Sequence, residues 1–429
     1  MNGKIVAGWI LLFGVLPLPG EAADQATSRQ ALRALQSHLD IARDKRPDTG
    51  TQKFAAIALT RTDAAKSREL LWADHLRFLR KERSVEMKTK VIRHDNLTMP
   101  FEFFIYGKKP KDGRSLYISM HGGGKAPKRV NDSQWKIQKR LYLPKEGVYV
   151  APRAPTNTWN LWHRGHIDPM FARLIENMVA LKEVNPNRVY LMGYSAGGDG
   201  VYQLAPRMAD YLAAAAMMAG HPNETSPLGL RNLAFTIHVG ERDSGYNRNK
   251  VAANWKTQLD ALRKADPEGY IHHVQIHARR GHWMNREDAV AVPWMARHTR
   301  NPLPSRIVWK QDNVTHTSFY WLAVPATQAA KGPHITATLD NQQVTLKGPA
   351  GKSVIIRLNE LMVDLKQPVS VIGNGKQLFQ GHVPHTISKL QKTLAKRRDL
   401  NLMFGGEVLV QLPASQTTFP TLLNYPIEV

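Results

Sequence analysis

The chain contains no cysteine. That removes any thiol nucleophile, any thiolate metal site and any disulfide staple. A chain of 429 residues must then hold its fold by burial alone, and 42% apolar residues supply enough material for a sizeable core. Acid is also scarce. Only 35 Asp and Glu stand against 59 Lys and Arg, a formal net charge of +24. A field of that sign favours polyanionic surroundings such as an anionic envelope polymer, an acidic polysaccharide or anionic lipid. The basic residues are scattered, apart from Lys396-Arg397-Arg398. They form no stripe interleaved with aromatics, so no dedicated nucleic-acid site is expected. A basic surface that merely keeps the protein soluble is the plainer alternative.

Long apolar runs are missing with one exception. Ile5 to Leu18 follows a short basic start ending at Lys4 and precedes Gly20-Glu21-Ala22, with small residues where a cleavage site needs them. This is the pattern of a secretory signal peptide over residues 1–22, and the run is short for a membrane span. The expectation is a periplasmic or secreted protein with no transmembrane segment once the signal is removed. Low-complexity tracts and internal repeats are absent as well.

What is present divides by texture. Residues 23–85 read as helical: Thr27 and Ser28 can cap a helix carrying Leu32, Leu35 and Leu39, Pro47 to Gly50 breaks it, a second helical region holds Phe54, Ile57 and Leu59, and a third runs through Leu70 to Leu79. This part is either a lead-in packed on the body or a lid. Over residues 86–300 the pattern alternates. Strands are expected at Lys88–Arg93, Met99–Tyr106, Ser115–Met120, Gly147–Ala151, Arg188–Met192, within the apolar run Tyr211–Met218, at Leu233–Val239 and at Tyr270–His277, with helical stretches between the later ones. A hairpin followed by alternating strands and helices predicts an α/β architecture, a mostly parallel sheet with helices on both faces. Over residues 303–429 short strands recur at close spacing, Asn374-Gly375 is a hairpin turn, and one helix spans Ile387 to Arg397. This reads as a small β-rich accessory domain.

In a parallel sheet the chemistry gathers at the carboxyl ends of the strands. The stretch Val189 to Gly198 ends a strand in Gly193-Tyr194-Ser195-Ala196-Gly197, the G-x-S-x-G pattern on a strand–turn–helix. The third strand runs into His121-Gly122-Gly123-Gly124, whose consecutive amides can converge on an oxyanion. Asp243 follows a later strand and His282 the last one, so a nucleophile, an acid and a base appear in the order Ser, Asp, His. Asp199 and Glu241 are the rival carboxylates, and His272, His273 and His277 the rival histidines. Trp159 and Trp162 lie on the loop after the fourth strand and Trp283 directly follows His282, so these three are candidates for the substrate pocket, with core packing the alternative for the first two. His163 and His166 form a pair at metal-ligand spacing, but among seventeen histidines such pairs arise by chance, and neither a metal nor a cofactor is expected.

These four loops together resemble the α/β-hydrolases, and within them the secreted serine esterases related to polyhydroxybutyrate depolymerases and feruloyl esterases. The resemblance covers roughly residues 86–300. It implies Ser195 as nucleophile, His282 as general base, Asp243 as its orienting carboxylate, and an oxyanion hole from the Ala196 amide with one among Gly122, Gly123 and Gly124. It implies hydrolysis of carboxylic esters, with polymeric ones among the candidates, through an acyl-enzyme. Two other functions fit the same sequence: a peptidase of this fold, and an envelope polymer-binding protein with an inactive hydrolase core.

Overall fold

The computed structural model describes residues 24–414, and the expected signal peptide lies outside them. The sheet that organises the chain has eight strands: β1 (Val91–His94), β2 (Leu97–Tyr106), β3 (Arg114–Met120), β4 (Gly147–Pro152), β5 (Val184–Tyr194), β6 (Ala214–Met218), β7 (Ala234–Gly240) and β8 (His272–His277). They lie in the order β1-β2-β4-β3-β5-β6-β7-β8. β1 and β2 form the antiparallel hairpin and β2 runs antiparallel to β4, whereas every later pairing is parallel. Buried on both faces, the central strands alternate their side chains between two cores, as a pleated strand must. Leu116, Ile118 and Met120 of β3 join one apolar cluster. Tyr117 between them joins the other with Tyr149, Tyr190 and Met192.

Helices are numbered along the chain: α1 (Gln25–Leu39), α2 (Arg61–Glu82), α3 (Ser84–Thr89), α4 (Lys128–Gln138), α5 (Ile167–Lys182), α6 (Ala196–Arg207), α7 (Arg248–Ala265), α8 (Ala291–Met295) and α9 (Ile387–Arg397). α5, α6 and α7 cover the first face of the sheet, and residues of α8 with Trp135 of α4 cover the second. The first expected strand begins as helix, because Lys88 and Thr89 complete α3, Lys90 caps it and pairing starts only at Val91. At the N-terminus the cap is Asp24, whose carboxylate accepts from the Thr27 N–H at 2.9 Å, not Thr27 or Ser28. The Phe54 region is a single 3₁₀ turn, Lys53–Ala56.

The remaining strands make two small sheets. β10 (Ser318–Phe319), β11 (Leu322–Ala323), β14 (Ser353–Leu358) and β17 (Gly406–Gln411) form one. β16 (Lys376–Gly381), β15 (Val369–Gly373), β13 (Gln343–Lys347), β12 (Ile335–Asp340) and β9 (Arg306–Trp309) form the other. Asn374 and Gly375 both take positive φ (49° and 84°) at the β15–β16 turn. These sheets share the first apolar core with α5 and α6. α1 and α2 bury Leu35, Leu39 and Leu71 against Ile387, Leu390 and Leu394 of α9. α2 also lies along α5, with His75 Nε2 at 2.9 Å from Glu176 Oε1 and Arg80 donating to the Ala180 carbonyl. Polar contacts tie the C-terminal part to the α/β body. The buried Asp210 carboxylate accepts from the Tyr320 N–H (3.0 Å) and from Arg397, and its carbonyl accepts from Arg300 (2.6 Å). No helix among the described residues is long and apolar enough to cross a membrane.

Candidate active site

β5 ends at Tyr194, the chain turns on one residue, and α6 begins at Ala196. That residue, Ser195, has φ 58° and ψ −121°, a conformation a residue with a Cβ seldom takes. The turn closes only because its neighbours are small. A Cβ on Gly193 would stand 2.3 Å from the Gly197 carbonyl oxygen, and one on Gly197 would stand 2.2 Å from the Met120 carbonyl oxygen. The Ser195 hydroxyl lies 3.0 Å from His282 Nε2. His282 Nδ1 lies 2.9 Å from Asp243 Oδ2. Asp243 follows β7 and is 3% exposed, whereas the His282 side chain, after β8, is 44% exposed. Strand order, the turn after the central β5 and the chain order Ser, Asp, His now agree. The chain has the α/β-hydrolase fold.

No protein-family model matches the chain, and no curated protein matches it. Among solved structures it is similar to a thermostable esterase, at 18% identity over 49% of this chain and 62% of that one, TM-score 0.37. The chain thus spans less than two thirds of that esterase. It is similar to the feruloyl esterase module from Clostridium thermocellum complexed with sinapinate, at 17% identity over 48% of this chain and 85% of the module, TM-score 0.36. A poly(3-hydroxybutyrate) depolymerase from Bordetella parapertussis shares 15% identity over 49% of this chain and 87% of its own, TM-score 0.35.

The glycine loop of this α/β-hydrolase fold passes directly over Ser195, since a Cβ on Gly122 would lie 3.1 Å from the Ser195 Cβ. Gly123 has φ +109°, and any side chain there would meet the Asn131 carboxamide at 2.4 Å. Asn131 corrects one expectation. Its Oδ1 accepts the Gly124 N–H at 2.8 Å, so that amide is committed to the loop, and Gly122 and Gly123 remain as its candidate donors. Ala196 is the first residue of α6, where backbone N–H groups have no intrahelical carbonyl to reach.

His121 holds the same loop from beneath. Its Nδ1 lies 2.6 Å from the Gly122 carbonyl, and its Nε2 accepts the Ala154 N–H at 3.1 Å. The proton is therefore on Nδ1, and burial keeps the ring neutral by pushing its pKa down to about 4. Trp162 is a second correction. It is 0% exposed, donates its indole N–H to the His121 carbonyl at 2.9 Å, and packs so tightly on Gly200 that a Cβ there would come within 2.5 Å. It is a wedge under the site and cannot line a pocket. Trp159 and Trp283 are 54% and 50% exposed, and the Trp283 ring lies 5.7 Å from that of Tyr194.

Tyr194, which sequence reasoning passed over, positions the histidine loop. Its hydroxyl donates to the His282 carbonyl at 2.6 Å and accepts the Met284 N–H at 3.0 Å. The rival residues have other partners. Glu241 accepts the Arg279 N–H (2.7 Å), His272 meets Asp260 (2.9 Å), and His277 meets His238 (3.2 Å). Asp199 accepts the His221 N–H at 2.6 Å, and burial raises its carboxyl to about 6. Among the described residues no three His, Asp or Glu stand together as a metal site, and His163 and His166 each bury an unpartnered Nε2.

Proposed function

We propose that the protein is a serine hydrolase that cleaves carboxylic esters through an acyl-enzyme. The observation that carries this is the relay from Ser195 through His282 to the buried Asp243, at 3.0 and 2.9 Å, on a strained turn. A serine hydroxyl is a weak nucleophile until a base takes its proton. Here His282 Nε2 takes it as Ser195 Oγ bonds to the ester carbonyl carbon, and Asp243 stabilises the imidazolium and fixes its tautomer. The carbonyl oxygen becomes an oxyanion, held by the Ala196 amide and an amide of Gly122 or Gly123. When the intermediate collapses, the C–O bond to the alcohol breaks and the imidazolium supplies the proton that the alcohol leaves with. Water, deprotonated by His282, then attacks the acyl-serine and releases the acid. We also read the protein as exported, on the strength of the basic start, the apolar run Ile5 to Leu18 and the small residues before Ala23. The strong positive charge would then keep it near anionic polymers of the envelope.

The test is labelling with a fluorophosphonate probe in the native host, on wild type and on Ser195→Ala, with a short-chain aryl ester assayed in parallel. The expected result is one labelled band in the extracytoplasmic fraction, with the mass of a chain starting at Ala23, and loss of both labelling and turnover in the variant. Folded wild-type protein that takes no label would overturn the hydrolase reading and favour an inactive, polymer-binding core. A labelled band of full length in the cytoplasm would overturn export alone.

A further inference from the structure

The rim of the Ser195 site holds cations that the relay does not use. Lys125, Arg242, Arg279 and Arg286 are exposed on the loops that carry the glycines, Asp243 and His282, and Arg129 is exposed in the first turn of α4, just past the glycine loop. The acids on those same loops already have partners. Asp132 pairs with Lys128 and Arg153. Glu241 accepts the Arg279 backbone N–H, Glu287 pairs with Arg280, and Asp243 holds His282. The five cations, by contrast, form no ion pair among the described residues, so their field reaches into the solvent where a substrate must approach.

One guanidinium lies deeper. The Arg248 side chain is 12% exposed, yet its Nε has no partner. Its Nη1 reaches only the Gly245 carbonyl at 3.2 Å and Asp243 Oδ1 at 3.5 Å. Its guanidinium carbon lies 4.9 Å from the centroid of the Tyr246 ring, which is itself 79% exposed. Tyr246 and Asn247 both have φ 54°, two strained non-glycine residues in succession. Strain of this kind persists where the surroundings impose it, and it presents the ring to solvent beside the relay. Arg248, shielded and ion-paired with Asp243, is spent on the relay, and what lies open beside it is the Tyr246 ring, on which a flat group attached to a carboxylate held by the rim can stack.

We propose that the ester cleaved here carries a carboxylate outside the reacting bond, drawn in and held by the unpaired rim cations beside the exposed Tyr246 ring. This rests on the serine-hydrolase reading above. It is tested with two matched pairs of esters, each normalised to its rate with hydroxide. 4-Nitrophenyl hemiadipate against 4-nitrophenyl heptanoate places the charge on the acyl side, on a tether too long for the carboxylate to expel the nitrophenolate readily by itself. 4-Acetoxybenzoate against phenyl acetate places it on the alcohol side. In at least one pair, kcat/KM of wild type should favour the anionic ester roughly tenfold or more at low salt, and the preference should shrink toward unity at about 0.5 M salt. Joint Arg242→Gln, Arg279→Gln and Arg286→Gln substitution should reduce the preference through KM, and the corresponding Lys substitutions should restore it. Neutral esters turned over as well as anionic ones in both pairs would overturn the inference and leave the hydrolase intact. A preference that survives the Gln substitutions would overturn its assignment to this rim. Failure of every ester together with failure to take the fluorophosphonate would overturn both readings at once.

Discussion

Acid should unfold this protein through its histidines. His121, His163 and His385 are 0%, 6% and 2% exposed. Burial lowers each pKa from 6.5 to about 4. A histidine that is harder to protonate when folded costs stability as pH falls: its contribution is intact above the unfolded value of 6.5 and is lost on the way down to the folded value near 4. At pH 5 the unfolded imidazole is almost fully charged and the folded one almost fully neutral, a difference of about 2 kcal/mol per residue relative to neutral pH. Three such residues amount to about 6 kcal/mol. His238, buried beside His277, is displaced in the same direction. Asp199 opposes them, because its raised folded pKa, about 6, lets the folded carboxyl take its proton first and returns about 1 kcal/mol at pH 5. The net loss of about 5 kcal/mol is comparable to the whole stability of many domains. Urea unfolding followed by tryptophan fluorescence at pH 7.5, 6 and 5 measures it directly. His163→Leu isolates one contribution, since His163 Nε2 is buried without a partner. That variant should be no less stable than wild type at pH 7.5 and should recover about 2 kcal/mol at pH 5. A wild-type stability that is flat between those limits, or a variant that tracks wild type at every pH, would refute the reasoning.

Tyr194→Phe should leave the Met284 N–H and the His282 carbonyl short of a partner, which costs about 1–3 kcal/mol where such groups are buried. Loosening of the histidine loop should then lower kcat about tenfold or more with little change in KM, and steady-state kinetics on an aryl ester checks it. Asn131→Ala should free the Gly124 amide and slacken the glycine loop, with a fall in kcat of the same order and slower fluorophosphonate labelling. Labelling as fast as wild type would show that the loop holds its shape without the carboxamide.

Ser195 and Asp243 were legible in the sequence because each follows a strand of recognisable apolar character, whereas β8, with three histidines and a glutamine in six residues, is a weaker signal for His282. Ser195, Asp243 and His282 needed only strand order to be placed at one edge. Helix α9 lies where the sequence placed a helix, near Ile387 to Arg397, and the structure adds its cap, Thr386. Whether an amide in a glycine run is free was not legible, because that depends on Asn131, seven residues downstream on α4, a polar helix without a strong apolar stripe. Nor was the difference between Trp159 and Trp162. Two tryptophans three residues apart on a loop look alike in sequence, and only the close approach of Gly200 puts the second one underground. Tyr194 was hidden in plain view as the unspecified residue of the serine motif, whose side chain reaches the second core while the next residue turns outward. At the N-terminus, Lys88 and Thr89 look like strand residues, yet a short helix takes them first.

Asp210 has a consequence for how this molecule could be taken apart. A buried carboxylate whose partners come from residues 320 and 397, more than a hundred positions later in the chain, cannot be left behind when those positions are removed without stranding a charge in an apolar setting. The α/β body is therefore not a cassette. Grafted alone onto another protein, or trimmed after Arg300, it would carry an exposed core and an orphaned acid, so evolution and engineering alike would have to move the α/β body and its C-terminal sheets as one inheritance.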